Sequence, residues 1–364
     1  MTTIARVAAL AGVGVGTVSR VLNDSGAVSP ATRRRVQEAI DALDYEPSAA
    51  ARALSTGRTL AIGVVAPFVT RASVVERLRG VARRVSDAGY QLILLDVERP
   101  EQFQGVLRSV AAQGRFDGVL VISLPLSESA VDRLRAADTP VVLVDRHDPT
   151  LPGVHIDDEA GGRLATKHLL ELGHERIAFV GDTESNPYGF DSSARRRAGY
   201  EAALAAAGVE PRAELIGTGP HGRGTARTLA SQMLALPEPP TAIFAASDYQ
   251  ALGAIEAAKA AGVTVPEELS VVGFDDVEVA GYTGLTTVAQ PLEDSGVRAV
   301  EILLATVSGE PARSEQLPCE LVVRDTTAAP ATSRVRSRLV GGMMRGSDPH
   351  RGGGSMNVGV NPHG

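Results

Sequence analysis

The spacing of hydrophobic and polar residues changes along this chain at about residue 60. Residues 3–45 carry apolar residues at intervals of three and four, which predicts short helices. From Leu60 onward, short apolar runs alternate with amphipathic segments, which predicts strands and helices in turn. We therefore expect a small all-α head followed by a larger α/β body.

The head is expected to contain three helices. The first begins after Thr3, which can cap it, and ends at Gly12, because glycine tolerates the backbone of a tight bend. The second covers residues 15–23, and the third follows the capping pair Ser29-Pro30. The positions expected to face the core are Ile4, Val7, Ala8, Leu10, Ala11, Val18, Val21, Leu22, Val36, Ile40 and Leu43. This order predicts a helix-turn-helix, whose second helix enters the major groove of DNA.

The body alternates apolar runs with helical segments throughout. The runs predicted as strands are LAIGVVA, QLILLD, DGVLVIS, PVVLVD, RIAFVGD, ELIG, TAIFAAS and LSVVGFDD. Such alternation is typical of parallel sheets covered by helices on both faces. Because the units are too many for one ordinary sheet, we expect two doubly wound parallel-sheet lobes. They should divide near residues 157–162, with the chain crossing back near 286–295.

Four regions follow from these patterns. Residues 1–46 are expected to form the DNA-binding head, and residues 47–59 a hinge helix and linker. Residues 60–325 are expected to form the two-lobed body, which binds an effector and dimerises. Residues 326–364 lack periodicity and are expected to be disordered.

Composition restricts the class of protein. No apolar run reaches the length of a membrane span, and MTTIARVAALAG lacks the features of a signal peptide, so a cytoplasmic location is expected. The single cysteine, Cys319, excludes an intramolecular disulfide and a multi-cysteine zinc site. Neither a metal nor a cofactor is expected.

Charge is unevenly distributed along the chain. The net charge is −7, yet residues 1–60 hold seven arginines and five acidic residues, a net of +2 that leaves −9 for the rest. A basic head on an acidic body is expected when only the head meets a polyanion.

Several stretches carry a resemblance to a known family. They are AGVGVGTVSRVLN and VSPATRRRVQEAIDALDYEPSAAARAL in the head, and VHIDDEAGGRLATKHLLELGHERIAFVGD, VPEELSVVGFDD and LTTVAQPL in the body. Over roughly residues 3–325 the chain is similar to the LacI/GalR, or lac-repressor, family of transcription regulators. The resemblance implies a body whose two lobes resemble periplasmic sugar-binding proteins.

The resemblance also implies which residues contact DNA. They are Val15, Gly16, Thr17, Ser19, Arg20, Asn23, Ala51 and Leu54. Since Gly16 offers no side chain, the reading of bases rests heavily on Arg20, whose guanidinium can donate two hydrogen bonds to guanine. The alternative is that Arg20 is a solvated surface arginine. Leu54 matches a hinge-helix leucine that wedges into the minor groove, and its alternative is a core position of a short helix.

Two lobes suggest a cleft for a small effector. Asp145 and Asp275 end predicted strands, where open parallel sheets bind ligands, and Arg196 lies near a helix start. Family ligand positions align with Asp145, Arg196, Ser247, Asp275 and Gln290, and Phe68, Tyr249 and Phe274 are expected to stack on an apolar ligand face. Carboxylates with arginine suit a carbohydrate. The alternatives are that Asp275 caps a turn and that Arg196 is solvated.

The expected function is sequence-specific repression of transcription by a homodimer on a near-palindromic operator, with operator affinity controlled by the effector. Induction and corepression both stay open. The alternative is a cytoplasmic solute-binding protein or α/β enzyme whose head is an assembly module. GTGPHG at 217–222 matches a dinucleotide motif in form, but Pro220 occupies its turn, and a lobe-surface loop is favoured. Without a recognisable catalytic motif, no enzyme activity is expected.

Overall fold

The structure, a computed structural model, describes residues 3–23, 26, 28–45, 58–112, 114–183 and 185–331. Most of the predicted hinge segment, including Ala51 and Leu54, lies outside the described residues, as does the part of the tail from residue 332 onward. The prediction that the disordered tail begins at residue 326 is wrong for Thr326, which is buried and donates to the Val271 carbonyl at 2.7 Å. The described part contains a three-helix head and an α/β body, each with its own buried apolar clusters.

The three helices of the head enclose one small core. Helices α1, α2 and α3 span Ile4–Ala11, Val15–Leu22 and Pro30–Ala42. The first two are bent from each other by 103°, and the bend begins at Gly12 in the left-handed conformation with φ of +64°. The buried residues of this core are Val7, Ala8, Ala11, Val18, Val21, Val36, Ala39 and Tyr45. The helix-turn-helix prediction is therefore confirmed.

Two details of the head differ from the sequence prediction. Thr3 occupies the position before α1, but its side chain makes no capping hydrogen bond. Leu10, expected in the core, is 57% exposed, because other residues of α1 already fill the side that faces α2 and α3. The cap of α3 is present: the Thr32 backbone amide donates to Ser29 Oγ at 3.2 Å.

The body begins at residue 61 and alternates strands with helices. Its elements in chain order are β1 (Ala61–Ala66), α4 (Ala72–Asp87), β2 (Gln91–Asp96), α5 (Pro100–Val110), β3 (Gly118–Ile122), α6 (Glu128–Ala136), β4 (Val141–Val144), β5 (Gly153–Ile156), α7 (Asp158–Glu171), β6 (Ile177–Asp182), α8 (Ser192–Ala206), β7 (Ile216–Gly219), α9 (Arg223–Leu234), β8 (Ala242–Ala245), α10 (Asp248–Ala260), β9 (Ser270–Asp275), α11 (Glu278–Tyr282), β10 (Thr286–Ala289), α12 (Leu292–Val307), β11 (Glu315–Leu317) and β12 (Glu320–Val322). A short 3-10 turn at Ala213–Leu215 precedes β7.

Two six-stranded sheets form two lobes, as predicted. The first has the strand order β11-β5-β4-β3-β1-β2 and is parallel throughout. The second has the order β12-β10-β9-β8-β6-β7 and is parallel except for β12, which runs antiparallel to β10. Central strands such as β1, β3 and β9 are buried along their whole length, which explains their continuous apolar sequences.

The chain passes between the lobes more than once. It leaves the first sheet after β5, returns between β10 and α12, and crosses again between β11 and β12. Helix α12 packs against α4 in the first lobe, although β10 before it belongs to the second. Residues near these crossings therefore lie at the junction of the lobes.

Helices α7 and α8 pack at very short range. A Cβ atom at Gly162 would lie 2.1 Å from the backbone oxygen of Arg196, so the approach requires glycine. The contact holds α8 beside α7, whose first residue, Asp158, reaches the same arginine. Helix packing thus places Arg196 at the edge of the second sheet.

The helices in the described ranges are short. No single one is long and apolar enough to cross a membrane; α1 and α2 together meet that criterion but are bent from each other.

Candidate functional site

The exposed face of α2 is the first candidate site. Val18 and Val21 turn into the core of the head, which leaves Val15, Gly16 and Arg20 on the outer side. Val15 is 46% exposed, and a Cβ at Gly16 would meet no atom within 4 Å. The first turn of α2 is therefore an exposed surface without a side chain at Gly16, so a large ligand can approach the backbone closely.

Arg20 is the cation on this face. Its side chain is exposed, and within the described residues its guanidinium has no hydrogen-bond or ion-pair partner. Its aliphatic stem passes Gly26, where an added Cβ would lie 3.3 Å from Cδ. An unpaired guanidinium offers the forked pair of donors that guanine accepts in the major groove.

The other predicted DNA contacts of the head lie beside Arg20. Thr17 and Ser19 are partly buried on the same helix. Asn23 directly follows the helix and donates from Nδ2 to Ser19 Oγ at 3.3 Å. Arg35 is exposed in the first half of α3, and its Nη1 lies 4.0 Å from where a Cβ at Gly12 would be, so it adds positive charge beside the bend between α1 and α2. The structure thus brings together every predicted DNA contact that lies in its described part.

The second candidate site is a cleft of about 280 Å³ between the lobes. Polar side chains from the carboxyl ends of strands line it: Ser123 after β3, Asp145 after β4, Asp182 at the end of β6 and Asp275 at the end of β9. This is where open α/β sheets place ligands. Of the predicted ligand contacts, Asp145, Arg196, Ser247, Tyr249, Asp275 and Gln290 line the cleft.

A chain of polar contacts connects the lobes across the cleft. Arg77 on α4 pairs with Asp145 and donates from Nη2 to Gln290 Oε1 at 2.8 Å. Gln290 donates from Nε2 to Asp275 Oδ1 at 2.6 Å. Arg196 contacts the same Asp275 oxygen at 3.5 Å. A ligand that enters here meets an ordered set of charges joined to both lobes.

Arg196 is the most enclosed of these groups, with 6% of the residue exposed. Its Nε donates to Asp158 Oδ1 at 2.8 Å and its Nη1 to the Ala246 carbonyl at 2.7 Å. Burial acts to lower the pKa of Arg196, but three surrounding carboxylates together raise it. The alternative of a solvated Arg196 is therefore wrong.

Backbone conformation marks the same strand ends. Ser123, Asp145 and Asp275 have φ of +58°, +66° and +110°. Residues other than glycine hold such conformations at a cost, and they concentrate at binding sites. The carboxylate of Asp275 contacts Gln290 and Arg196, and these contacts favour a ligand-facing role over a turn cap.

Burial shifts the acidic groups of the second lobe. It raises the pKa of Asp158 to about 6 against the attraction of Arg196, and it also raises the pKa of Asp275. Behind them, burial and then the charge of Asp275 raise the pKa of Asp248 to about 8. The Thr287 hydroxyl donates to Asp248 at 2.6 Å and acts in the opposite direction.

We predict that stability falls as pH rises from about 7 to 8, because folded Asp248 keeps a proton that the unfolded chain has lost. Asp248 should contribute a slope of up to about 1.4 kcal/mol per pH unit to the unfolding free energy. Histidines with lowered pKa values, such as His174, act in the opposite direction below about pH 7, because the unfolded chain still binds part of their protons there. Urea unfolding at several pH values measures the slope. Asp248→Asn should flatten it, and an unchanged slope in that variant would contradict the assignment.

The aromatic predictions need correction. Tyr249 lines the cleft and is 45% exposed. Phe274 is fully buried beneath Arg196, 3.7 Å from its guanidinium, because adjacent strand residues face opposite sides and Asp275 takes the cleft side. Phe68 lies outside the lining and packs its ring 4.0 Å from the Arg71 guanidinium. Phe274 and Phe68 therefore support cleft arginines and are not placed to stack on a ligand.

Ser247 lines the cleft, but its hydroxyl is already engaged. It precedes α10 and accepts from the Gln250 backbone amide at 3.3 Å, which caps the helix. The Gln250 side chain then donates to Asp182 Oδ1 at 2.9 Å. Ser247 thus helps to hold the wall of the cleft through Gln250.

Sequence reasoning missed several lining residues: Arg71, Arg77, Ser123, Asp182 and His221. Ser123 and Asp182 follow or end predicted strands just as Asp145 does, so the strand-end rule would have found them. His221, which faces Asp182 with Nδ1 at 3.1 Å from Oδ1, lies in the glycine-rich stretch 217–222. That stretch forms part of the cleft rim.

Two family profiles match the chain. One, described as bacterial regulatory proteins of the lacI family, matches residues 3–48. The other, a periplasmic binding protein-like domain, matches residues 166–327. The matches correspond to the head and to most of the second lobe with its crossings.

Known proteins resemble the chain over most of its length. The transcriptional repressor PurR of Photobacterium profundum is 35% identical over 332 residues, which cover 89% of this chain and 98% of that protein. A solved complex of the transcriptional regulator CelR with cellobiose is 33% identical, with TM-score 0.66, and the match covers 90% of this chain and all of that chain (100%). A lac repressor dimer bound to operator and the anti-inducer ONPF is 30% identical, with TM-score 0.80, covering 90% and 99%.

Proposed function

The chain belongs to the lacI family of bacterial regulatory proteins, and on that premise we propose that it represses transcription by binding operator DNA under the control of a small polar effector. The observation that carries the proposal is an exposed Arg20 on the second helix of the head, without a hydrogen-bond or ion-pair partner among the described residues, in a chain that also holds a charged interlobe cleft. The protein is proposed to bind DNA and an effector without catalysing a reaction. It is proposed to act in the cytoplasm.

The head is proposed to act in pairs. A homodimer presents two copies of α2 to successive major grooves of a near-palindromic operator, with half-site centres about 10 base pairs apart. In each copy Arg20 reads a base, and Arg35 and neighbouring backbone amides contact phosphates. The lac repressor structure named above is itself a dimer on operator, which supports this arrangement.

The cleft is proposed to bind the effector. Asp145 and Asp275 accept hydrogen bonds from hydroxyl groups, and Arg196 holds Asp275 in place. Charge-assisted hydrogen bonds of this kind discriminate strongly among polyhydroxylated ligands, so a carbohydrate or carbohydrate derivative fits best. The cellobiose in the CelR complex supports a ligand of this class.

Coupling between the two sites is proposed to run through the lobes. The Arg77–Gln290–Asp275 contacts join the first lobe to the second, so a ligand that inserts among them alters the relation of the lobes. The effector then favours the state of the protein that it binds more tightly. The effector changes the affinity for operator DNA by the same factor by which operator DNA changes the affinity for the effector. Whether the occupied state releases or binds DNA decides between induction and corepression.

Selection of bound duplexes from a random pool by the full-length protein tests the proposal. We expect a palindrome of two half-sites, bound with an affinity that falls by about 0.9 log units per log unit of salt for each phosphate neutralised. The selection is run with and without a panel of sugars, so that a corepressor requirement does not hide binding. No enrichment in either condition, or an affinity insensitive to salt, would count against a DNA-binding regulator.

A further inference from the structure

Arg71 differs from the other two arginines that line the cleft. Arg77 and Arg196 are each paired with carboxylates, as described above. Within the described residues, the guanidinium of Arg71 has neither a hydrogen-bond acceptor nor an ion-pair partner. Asp182, a carboxylate of the opposite wall, already receives hydrogen bonds from two other side chains. The charge of Asp182 attracts Arg71 without a direct contact, so within the described residues the Arg71 guanidinium keeps its donors available.

Aromatic rings hold this cation in position. The Arg71 guanidinium lies 4.0 Å from the centre of the Phe68 ring and 5.8 Å from that of Phe190. A stacked guanidinium keeps the N–H groups on its edge free to donate. Burial lowers the pKa of Arg71 against the attraction of Asp182, which indicates that the charge has lost part of its hydration. A partly desolvated, unpaired charge is stabilised by any ligand that brings the opposite charge.

The start of α4 reinforces the positive field at Arg71. Arg71 occupies the N-cap position of this 16-residue helix without a side-chain cap, and the first turn contains no acidic residue. Thr70, Ala72 and Ser73 line the cleft beside it. The free backbone amides of a helix start attract anions, and here they add to the guanidinium.

The carboxylates around Arg77 and Arg196 give their part of the cleft the reverse character. Asp145 and Asp275 line it, and Asp158 lies behind them, which gives three carboxylates for the two paired arginines. Hydroxyl groups are favourable partners for these oxygens, whereas a second anionic group would be repelled. The cleft therefore distinguishes the two ends of a ligand by charge.

We propose that the effector is a carbohydrate derivative with one anionic group, a carboxylate or a phosphate, which binds Arg71 while its hydroxyls bind at Asp145 and Asp275. The inference rests on the proposed function in taking the cleft as the effector site. It assigns Arg71 as the residue that selects a sugar acid or sugar phosphate over the neutral sugar.

The test compares matched neutral and anionic probes on the full-length protein. The probes are glucose, glucuronate and glucose 6-phosphate, then ribose, ribonate and ribose 5-phosphate, and inorganic phosphate alone. The rise of Tm with probe concentration, at constant ionic strength, gives each apparent Kd. The variants are Arg71→Gln and the control Arg108→Gln, which changes an exposed arginine of the same lobe outside the cleft. Operator affinity of each preparation is measured in parallel.

In the wild type, at least one anionic probe should bind tenfold or more tightly than its neutral partner. Arg71→Gln should lose that preference by about 10- to 100-fold, in line with a charged hydrogen bond, and Arg108→Gln should keep it. The preferred member of the pair identifies carboxylate or phosphate.

Equal binding of neutral and anionic probes, or an anion preference that survives Arg71→Gln, overturns the inference, as does the absence of binding by every anionic probe. If operator binding is intact in these cases, only the anionic class fails and the regulator function stands. If the wild-type protein does not bind operator DNA, the result would instead contradict the proposed function.

Discussion

Replacing Arg196 with alanine is expected to lower the free energy of unfolding by about 3–5 kcal/mol, the largest stability effect we predict for a cleft residue. The substitution removes the cation that pairs with Asp158 and contacts Asp275, so Asp158 loses its ion-pair partner while buried and Asp275 keeps, among the described residues, only its hydrogen bond from Gln290. It also opens a cavity beside Phe274, whose ring packs against the guanidinium. Because the cleft wall depends on this residue, effector binding should be lost together with stability.

Urea unfolding of the full-length protein measures the effect. The matched control is Arg195→Ala, which removes an arginine next to Arg196 on the same helix, where it is only partly buried. That control should change the unfolding free energy by less than about 1 kcal/mol, as is usual for partly exposed charges. A loss below about 1 kcal/mol for Arg196→Ala would mean that the buried carboxylates do not depend on this arginine.

Replacing Arg20 with alanine is expected to weaken operator binding by about 1–3 kcal/mol in each half-site, and therefore by about 2–6 kcal/mol for a dimer. Within the described residues the guanidinium has no partner to retain it, so its donors are available to a base. The side chain supports no part of the head core, so the fold of the head should be unaffected.

Measuring the base preference distinguishes an arginine that contacts a base edge from one that only attracts the phosphate backbone. Arg20→Ala should lose discrimination at one base-pair position in each half-site, whereas Arg6→Ala, which removes an exposed arginine of α1, should leave the base preference unchanged. Competition between duplexes that differ at a single position measures this. A uniform loss of affinity for all duplexes in Arg20→Ala would assign Arg20 to the phosphate backbone instead.

The architecture was predictable because its signals are local. The apolar spacing of α2 and the capping pair at Ser29 define the head, and the continuous apolar runs define buried parallel strands. Leu10 shows the limit of spacing alone. The pattern places it with the core residues of α1, but α2 and α3 cover only part of that helix, and the covered part depends on tertiary packing.

The cleft was predictable only in part. Asp145 and Asp275 were found because strand ends have a fixed place in open sheets. Arg77 was missed, since nothing in ERLRGVARR separates it from its neighbours and its partner Gln290 lies 213 residues away. Phe274 was misassigned although the alternation of strand side chains, applied to Asp275 beside it, places the two on opposite faces.

The central claim is that occupancy of the cleft changes the affinity of the head for DNA. The direct measurement is the Kd of the full-length protein for its selected operator, with and without the sugar derivative that most raises Tm. We expect a change of about 5- to 150-fold in one direction, and none in Asp275→Asn, whose cleft lacks a carboxylate that contacts both Gln290 and Arg196. A ligand that saturates the cleft and leaves the operator Kd unchanged would contradict the account.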